Sequence, residues 1–271
     1  MSVRKIINSS LRRATGYEIR KYRPPKPPKK KAPPKPPPKP APQPPTLHDF
    51  TKLSVYLEST PTAFLEALGW PADEVAKVAD EFDEVYARLD ERYEQTETVF
   101  PPRWGVEQGT GLALYGLVRL LRPATVVETG VADGRSSFMM LSALERNGHG
   151  MLHSFDVREE AGNLVRGHEQ WNLTISDAKD PRRSFTDAIA KLETIDMFQH
   201  DSDHSYANQM FEYESAWPKI PMTGVLASDD ADLTKAYLDF ATRTRQKPQF
   251  LFDRRKILGA LRRQEPEAEA D

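Results

Sequence analysis

Two stretches of this 271-residue chain hold side chains whose types and spacing fit chemistry as well as packing. The first, VVETGVADGRSS over 126–137, sets Glu128 at the tip of an apolar run, glycines at 130 and 134, and Ser136 and Ser137 at the start of a helix. Gly130 permits an unusual backbone angle and close approach of a ligand to the main chain. Gly134 and the amides near Ser136 and Ser137 put a helix N-terminus beneath an anionic group. A dinucleotide site would ask for G-x-G-x-x-G. The order here is Glu128-x-Gly130-x-Ala132-x-Gly134, with Val131 and Asp133 between. An acid ahead of the first glycine suits a cofactor with an ammonium group better than a pyrophosphate. Asp156, closing SFD, stands where a carboxylate accepts both ribose hydroxyl protons, and Asp177 in ISDA stands where one meets an adenine amino group.

The second stretch is FQHDSDHSY, 198–206, paired with SDDAD, 228–232. If both end neighbouring parallel strands, Asp201, Asp229 and Asp230 converge, with nothing to neutralise them except a cation. Three carboxylates are a hard oxygen set, which points to Mg²⁺ rather than zinc. Asp229-Asp230 alone also fits an N-cap for the helix TKAYLDFATR. His204, three residues beyond Asp201, has an ordinary pKa near neutrality and is a candidate general base. His200 sits inside the strand and is expected to pack or to support the site. His48, His149, His153 and His168 lack acidic neighbours at ligand spacing. Met210, Phe211, Ala216 and Trp217 are expected in the core, and Trp104 and Tyr115 are aromatic candidates for a pocket wall.

The elements that position these residues alternate after Phe100. A helix is predicted over about 107–121, then a strand at Thr125–Thr129, a glycine turn, and a helix from about Ser136 to Asn147. Further strands are predicted at Met151–Asp156, Asn172–Ile175, Ile195–His200 and Gly224–Ser228. Gln249–Phe252 and Ile257–Leu261 read as a hairpin around the charged turn Asp253-Arg254-Arg255. Strands separated by helices imply a doubly wound, Rossmann-like α/β fold with a mostly parallel seven-stranded sheet and a terminal antiparallel hairpin. Ahead of it, Leu47 to about Thr98 has a helical pattern, with Pro61 and Pro71 at first-turn positions. Val75, Val78, Phe82, Val85, Tyr86 and Leu89 share one face there. This accessory region, 47–99, is expected either to cover the substrate site or to pair two subunits.

The net charge of −2 conceals an asymmetry: residues 1–45 hold thirteen Lys and Arg against the single acid Glu18, and the rest holds 25 basic against 39 acidic side chains. An acidic body argues against nucleic-acid binding, which is mostly cationic neutralisation of phosphate. Residues 24–46 hold thirteen of the 23 prolines and six lysines. That composition predicts an extended, self-repelling linker, with an SH3-type ligand as the other reading. Residues 1–23 read as a short basic helix able to make weak contact with a membrane surface or a partner, and 263–271 as an acidic tail. Without cysteine there is no disulfide or thiolate chemistry. No apolar run approaches membrane-spanning length, and a cytoplasmic location is the expectation.

The quoted motifs, VVETGVADGRSS, SFD, HDSDHSY and ASDD, resemble class I S-adenosylmethionine-dependent methyltransferases over about 100–262. The likeness is to the branch of macrocin-type sugar O-methyltransferases and cephalosporin-hydroxylase-like proteins. Ala132 replaces the central glycine of the usual E-x-G-x-G-x-G turn. The resemblance implies that Asp201, Asp229 and Asp230 hold Mg²⁺. It also implies that the acceptor is a hydroxyl of a sugar or other small molecule, and that His204 or Asp203 takes its proton. A metal-dependent hydroxylase or hydrolase on the same fold, or a non-catalytic cofactor-binding scaffold, are the competing readings. A homo-oligomer is compatible with either.

Overall fold

The computed structural model describes residues 56–265. The basic segment 1–23, the linker 24–46, the beginning of the accessory region and the tail from 266 lie outside the described residues.

A short strand, β1 (Leu57–Glu58), leads into two helices, α1 (Pro61–Ala67) and α2 (Ala72–Glu94). Pro61 occupies the first turn of α1, and the Thr60 hydroxyl accepts from the Ala63 amide to cap it. Pro71 is the N-cap of α2, whose buried stripe is Val75, Val78, Phe82, Val85 and Leu89. Then come α3 (Gln108–Leu121), β2 (Thr125–Thr129), α4 (Arg135–Asn147), β3 (Met151–Asp156), β4 (Trp171–Ile175) and α5 (Pro181–Ile189). The chain closes with β5 (Met197–His200), α6 (Tyr206–Ala216), β6 (Val225–Ser228), α7 (Ala236–Thr244), β7 (Gln249–Asp253) and β8 (Lys256–Arg262).

The strands form one sheet in the order β1-β7-β8-β6-β5-β2-β3-β4. Only β8 runs antiparallel to its neighbours, β6 and β7. β2 lies between β3 and β5, so the strand order reverses there, and a crevice opens beyond the carboxyl ends at such a point. The sheet has eight strands rather than seven. The helical pattern expected from Leu47 is interrupted by β1, which adds two residues to the open edge of β7. Two residues are too few for periodicity to register.

Successive strand residues feed opposite faces. Val126, Met197, Val225 and Ala227 pack with α1 to α4 on one side. Val127, Phe198, Leu226 and Leu261 pack with α5, α6 and α7 on the other. Across the α2–α3 seam, Glu81 accepts hydrogen bonds from the Tyr115 hydroxyl (2.7 Å) and from Arg119 Nε (2.8 Å). Tyr115 is thus fully buried in the core and does not line a pocket. Of the accessory helices, only Tyr93 at the end of α2 reaches the crevice, together with the segment that follows it.

Leu89 anchors α2 and is fully buried. Leu89→Ala is expected to lower unfolding stability by about 2–4 kcal/mol, read in urea melts; a loss near zero would mean that α2 is not part of the cooperative core.

Candidate active site

At the crevice lies a cleft of about 1020 Å³, walled by the β2–α4 turn, the tips of β3 and β5, the segment Thr98–Val106, and residues of α5, α6 and β8. The turn is set by sterics before chemistry. Gly130 has φ +78°, and a Cβ there would stand 1.9 Å from the Asp201 carbonyl oxygen. The close approach is therefore to the main chain of Asp201. Ala132 also takes a left-handed φ of 48°, and Gly134, φ 94°, is the N-cap of α4.

Glu128 does not face the cleft. It is fully buried, and its oxygens accept from Ser136 Oγ (2.5 Å), Ser137 Oγ (2.6 Å) and Ser154 Oγ (2.8 Å). Burial raises its pKa, an effect the three serine bonds oppose. The expectation that Glu128 meets an ammonium group is corrected: its side chain drops beneath the first turn of α4 and ties that turn to β3. Ser137 and Gly134 likewise lie behind the wall, whereas Gly130, Val131, Ala132, Asp133 and Ser136 line it.

Asp156 does line the cleft. Its Oδ2 accepts from the amides of Val131 (2.9 Å) and Ala132 (3.3 Å), and its Oδ1 from that of Arg158 (2.9 Å). Asp133 instead pins the opposite wall, accepting from the amides of Val99 (2.9 Å) and Phe100 (3.0 Å). That wall carries Phe100 and Trp104, their rings 5.8 Å apart. Asp177 is exposed and outside the lining, because its backbone has already turned toward α5; Ser176 occupies the wall in its place.

Adjacent strand tips bring the second acidic stretch together. The Asp201 amide donates to Thr129 O and the Asp229 amide to His200 O, each at 2.9 Å. Asp229-Asp230 is not a helix cap, since α7 begins at Ala236 with Lys235 before it. Nor are the acids without a neutralising partner. Lys256 Nζ lies 2.5 Å from Asp229 Oδ2 and 3.5 Å from Asp230 Oδ2. Both Asp229 and Lys256 are buried. Burial alone would lower the lysine's pKa, but the carboxylates of Asp229, Asp201 and Asp230 hold it above its usual value. Burial, then repulsion from Asp229, raises Asp201 well above the carboxylate range. Among the described residues, no group of three or more His, Cys, Asp and Glu is arranged to hold a metal ion.

Both base candidates line the cleft. Asp203 is engaged by Ser205, accepting from its amide (3.1 Å) and hydroxyl (2.9 Å) at the start of α6. His204 Nε2 is buried without a hydrogen-bond partner, 3.6 Å from Asp201 Oδ1. Burial, reinforced by the adjacent His200, pushes its pKa down to about 4, so near-neutral titration does not hold for it.

Two residues of the site were absent from the sequence reading. Lys256 would have been found by pairing the terminal hairpin with β6, because Ser228 faces Gly259 and the antiparallel start of β8 must then lie beyond the tip of β6. Glu212 accepts from Thr129 Oγ1 (2.6 Å), His200 Nδ1 (2.7 Å) and Ser202 Oγ (2.7 Å). Burial acts to raise its pKa, but the His200 ring and these donors lower it overall. The Asn208–Glu212 spacing, one helical turn apart, was its signal. Phe211, expected in the core, lines the cleft.

Residues 127–231 match the family described as a methyltransferase domain. The matched stretch runs from β2 to β6 and includes the glycine turn and both acidic strand tips. Among solved structures, the methyltransferase PaMTH1 of Podospora anserina, determined with S-adenosylhomocysteine, is 13% identical with a TM-score of 0.52, over 69% of this chain and 96% of that one. The O-methyltransferase TomG of Streptomyces achromogenes, determined with S-adenosylmethionine, is 15% identical with a TM-score of 0.50, over 67% of this chain and 90% of that one. At such identities the likeness is one of fold. No curated protein matches the sequence.

Two outcomes follow from this geometry. Glu128→Gln puts an amide nitrogen among three serine donors and is expected to cost about 1–3 kcal/mol in urea unfolding; unchanged stability would mean that the serines do not depend on the carboxylate. Folding lowers the His204 pKa from 6.5 to about 4. The unfolded chain therefore takes up a proton there that the folded chain refuses. This contribution is complete above about pH 6.5 and is lost as pH falls toward 4, about 3 kcal/mol in all. His204→Gln is expected to flatten that part of the stability profile; an unchanged slope would show His204 to be accessible to protons in the fold.

Proposed function

We propose that the chain is an S-adenosylmethionine-dependent O-methyltransferase acting on a hydroxyl of a sugar or other small molecule. The supporting observation is Asp156, held by three main-chain amides on the cleft wall beside the glycine turn, within reach of the same cavity as Asp201, Asp203 and His204. A carboxylate has about four acceptor positions. The amides use three of them in Asp156, which leaves one for a ribose hydroxyl rather than the two expected from the sequence.

The fit extends beyond Asp156. Val131, Phe155 and Val157 give the cleft apolar walls on the same side, with Ser176 as a polar contact at the far end. When bound, S-adenosylmethionine supplies a methyl group activated by a positively charged sulfur. The chain's own residues orient and deprotonate the acceptor. His204 lines the cleft and is neutral at physiological pH, so its imidazole is able to take the hydroxyl proton. Asp203 is the weaker candidate because Ser205 occupies its carboxylate. Trp104, half-exposed at the rim, offers an aromatic face to an acceptor.

Mg²⁺ assistance does not fit the acidic cluster as it stands. Lys256 already engages Asp229 and Asp230, and no step is derived through a metal. The sugar preference rests on the resemblance of the motifs. A cytoplasmic setting is consistent with the described helices, none of which is long and apolar enough to cross a membrane.

Titration calorimetry of the full chain with S-adenosylmethionine tests the reading: one equivalent is expected to bind, and Asp156→Ala to weaken it by about 1.5–3 kcal/mol. Absence of heat with folded protein overturns it. A labelled-cofactor assay across glycosides and phenols then assigns the acceptor.

A further inference from the structure

We propose that Lys256 is the resident cation of the acceptor site and that methyl transfer by this chain needs no divalent metal. This deepens the methyltransferase reading and rests on it.

The geometry carries the proposal. Lys256 opens β8, the one strand antiparallel to its neighbours, and the pairing of Ser228 with Gly259 places it beyond the tip of β6. There the chain is held by a hydrogen bond from the Ala231 amide to Ile257 O at 2.9 Å. The side chain is 7% exposed, with Nζ 2.5 Å from Asp229 Oδ2 and 3.5 Å from Asp230 Oδ2. Lys256, Asp230 and Asp201 all line the cleft.

An ammonium has three N–H donors. One is given to Asp229 Oδ2 and Asp230 Oδ2 lies within ion-pair distance, which leaves donor capacity for an oxygen in the cleft. Mg²⁺ demands close to octahedral geometry with about six oxygens. Here the inner oxygens of the acidic pair are held by a cation whose charge repels a second one. Asp229 Oδ1 is left without a hydrogen-bond partner, but it belongs to a carboxylate already bound to the ammonium. The anchored ammonium supplies what an ion would: a fixed positive charge, in a water-poor pocket, beside an oxygen that is losing its proton.

The transfer balances on these groups. The acceptor hydroxyl gives its proton to the imidazole of His204, which lines the cleft, and its oxygen lone pair forms the new bond to the methyl carbon. The carbon–sulfur bond breaks with its electron pair staying on sulfur, which leaves a neutral thioether. The proton passes from His204 to solvent. No metal, oxidant or reductant enters.

The test is a Mn²⁺ titration of the full-length chain, followed by electron paramagnetic resonance with S-adenosylmethionine present, alongside cofactor calorimetry with and without EDTA. The wild type is expected to leave Mn²⁺ free into the millimolar range and to bind the cofactor equally with EDTA. Lys256→Met, which frees the carboxylates, is expected to bind Mn²⁺ roughly ten-fold more tightly or better. One equivalent of Mn²⁺ on the wild type that is lost in the double variant Asp229→Ala/Asp230→Ala overturns the proposal, whether or not the lysine variant folds. Mn²⁺ that survives in that double variant, which keeps no side-chain oxygen at either position, sits elsewhere and leaves the assignment standing. Failure of the cofactor to bind overturns the functional reading itself, whereas cofactor binding together with that Mn²⁺ site overturns only the role of Lys256.

Discussion

The contact on which the site depends is between two main chains. Gly130, leaving β2, passes so close to Asp201, leaving β5, that a Cβ on Gly130 would collide with the Asp201 carbonyl. The Asp201 amide bonds back to Thr129 O. The strands that flank the reversal in strand order are thereby locked tip to tip. The glycine turn and the strand tips that carry Asp201 and Asp230 line the same cleft and keep a fixed separation. Such a separation is what a displacement in line requires, because the reacting atoms must be held at about 3–3.5 Å.

The acids around this contact divide by burial. Glu128 and Glu212 are buried and hydrogen-bonded at both oxygens, by serines in one case and by Thr129, His200, Ser202 and Asn208 in the other. A buried carboxylate left unsatisfied costs far more than a paired one gains, so both act as clamps on the backbone around them. Asp156 and Asp133 are bound by amides of neighbouring loops and shape the two walls. Only Asp201, Asp229 and Asp230 crowd together, and their repulsion is offset from within the chain by Lys256. The single ammonium lowers the repulsion among the three acids.

Much of this was legible in the order of residues, and the failures have physical causes. Strand positions followed from short apolar runs between helical patterns, and the terminal hairpin from its charged turn. Asp156 was legible because a strand tip beside a glycine turn has few places to point. Glu128 was misread because period-two alternation says which face a residue takes but not whether serines from α4 and β3 will close over it. His204 was misread through its free-solution pKa, which burial beside His200 removes. Lys256 lies 26 residues beyond Asp230, and only the register of β8 on β6 joins them. Long-range pairing of that kind is set by the sheet and leaves no local pattern.

The position of Lys256 also explains why the last strand matters to the site. In a sheet built by parallel crossovers, every strand presents its carboxyl end to the crevice, and strand tips there are rich in acids. An antiparallel strand presents its amino end instead. β8 does so beside β6, the strand that carries Asp229 and Asp230. The strand that reverses direction is therefore the one able to deliver a residue preceding its own pairing into a cluster of residues that follow theirs. Since the side chain reaches the carboxylates from across the strand boundary, its charge is anchored by the β6–β8 ladder rather than by a mobile loop. Preorganised charge of this kind needs no rearrangement when the acceptor arrives.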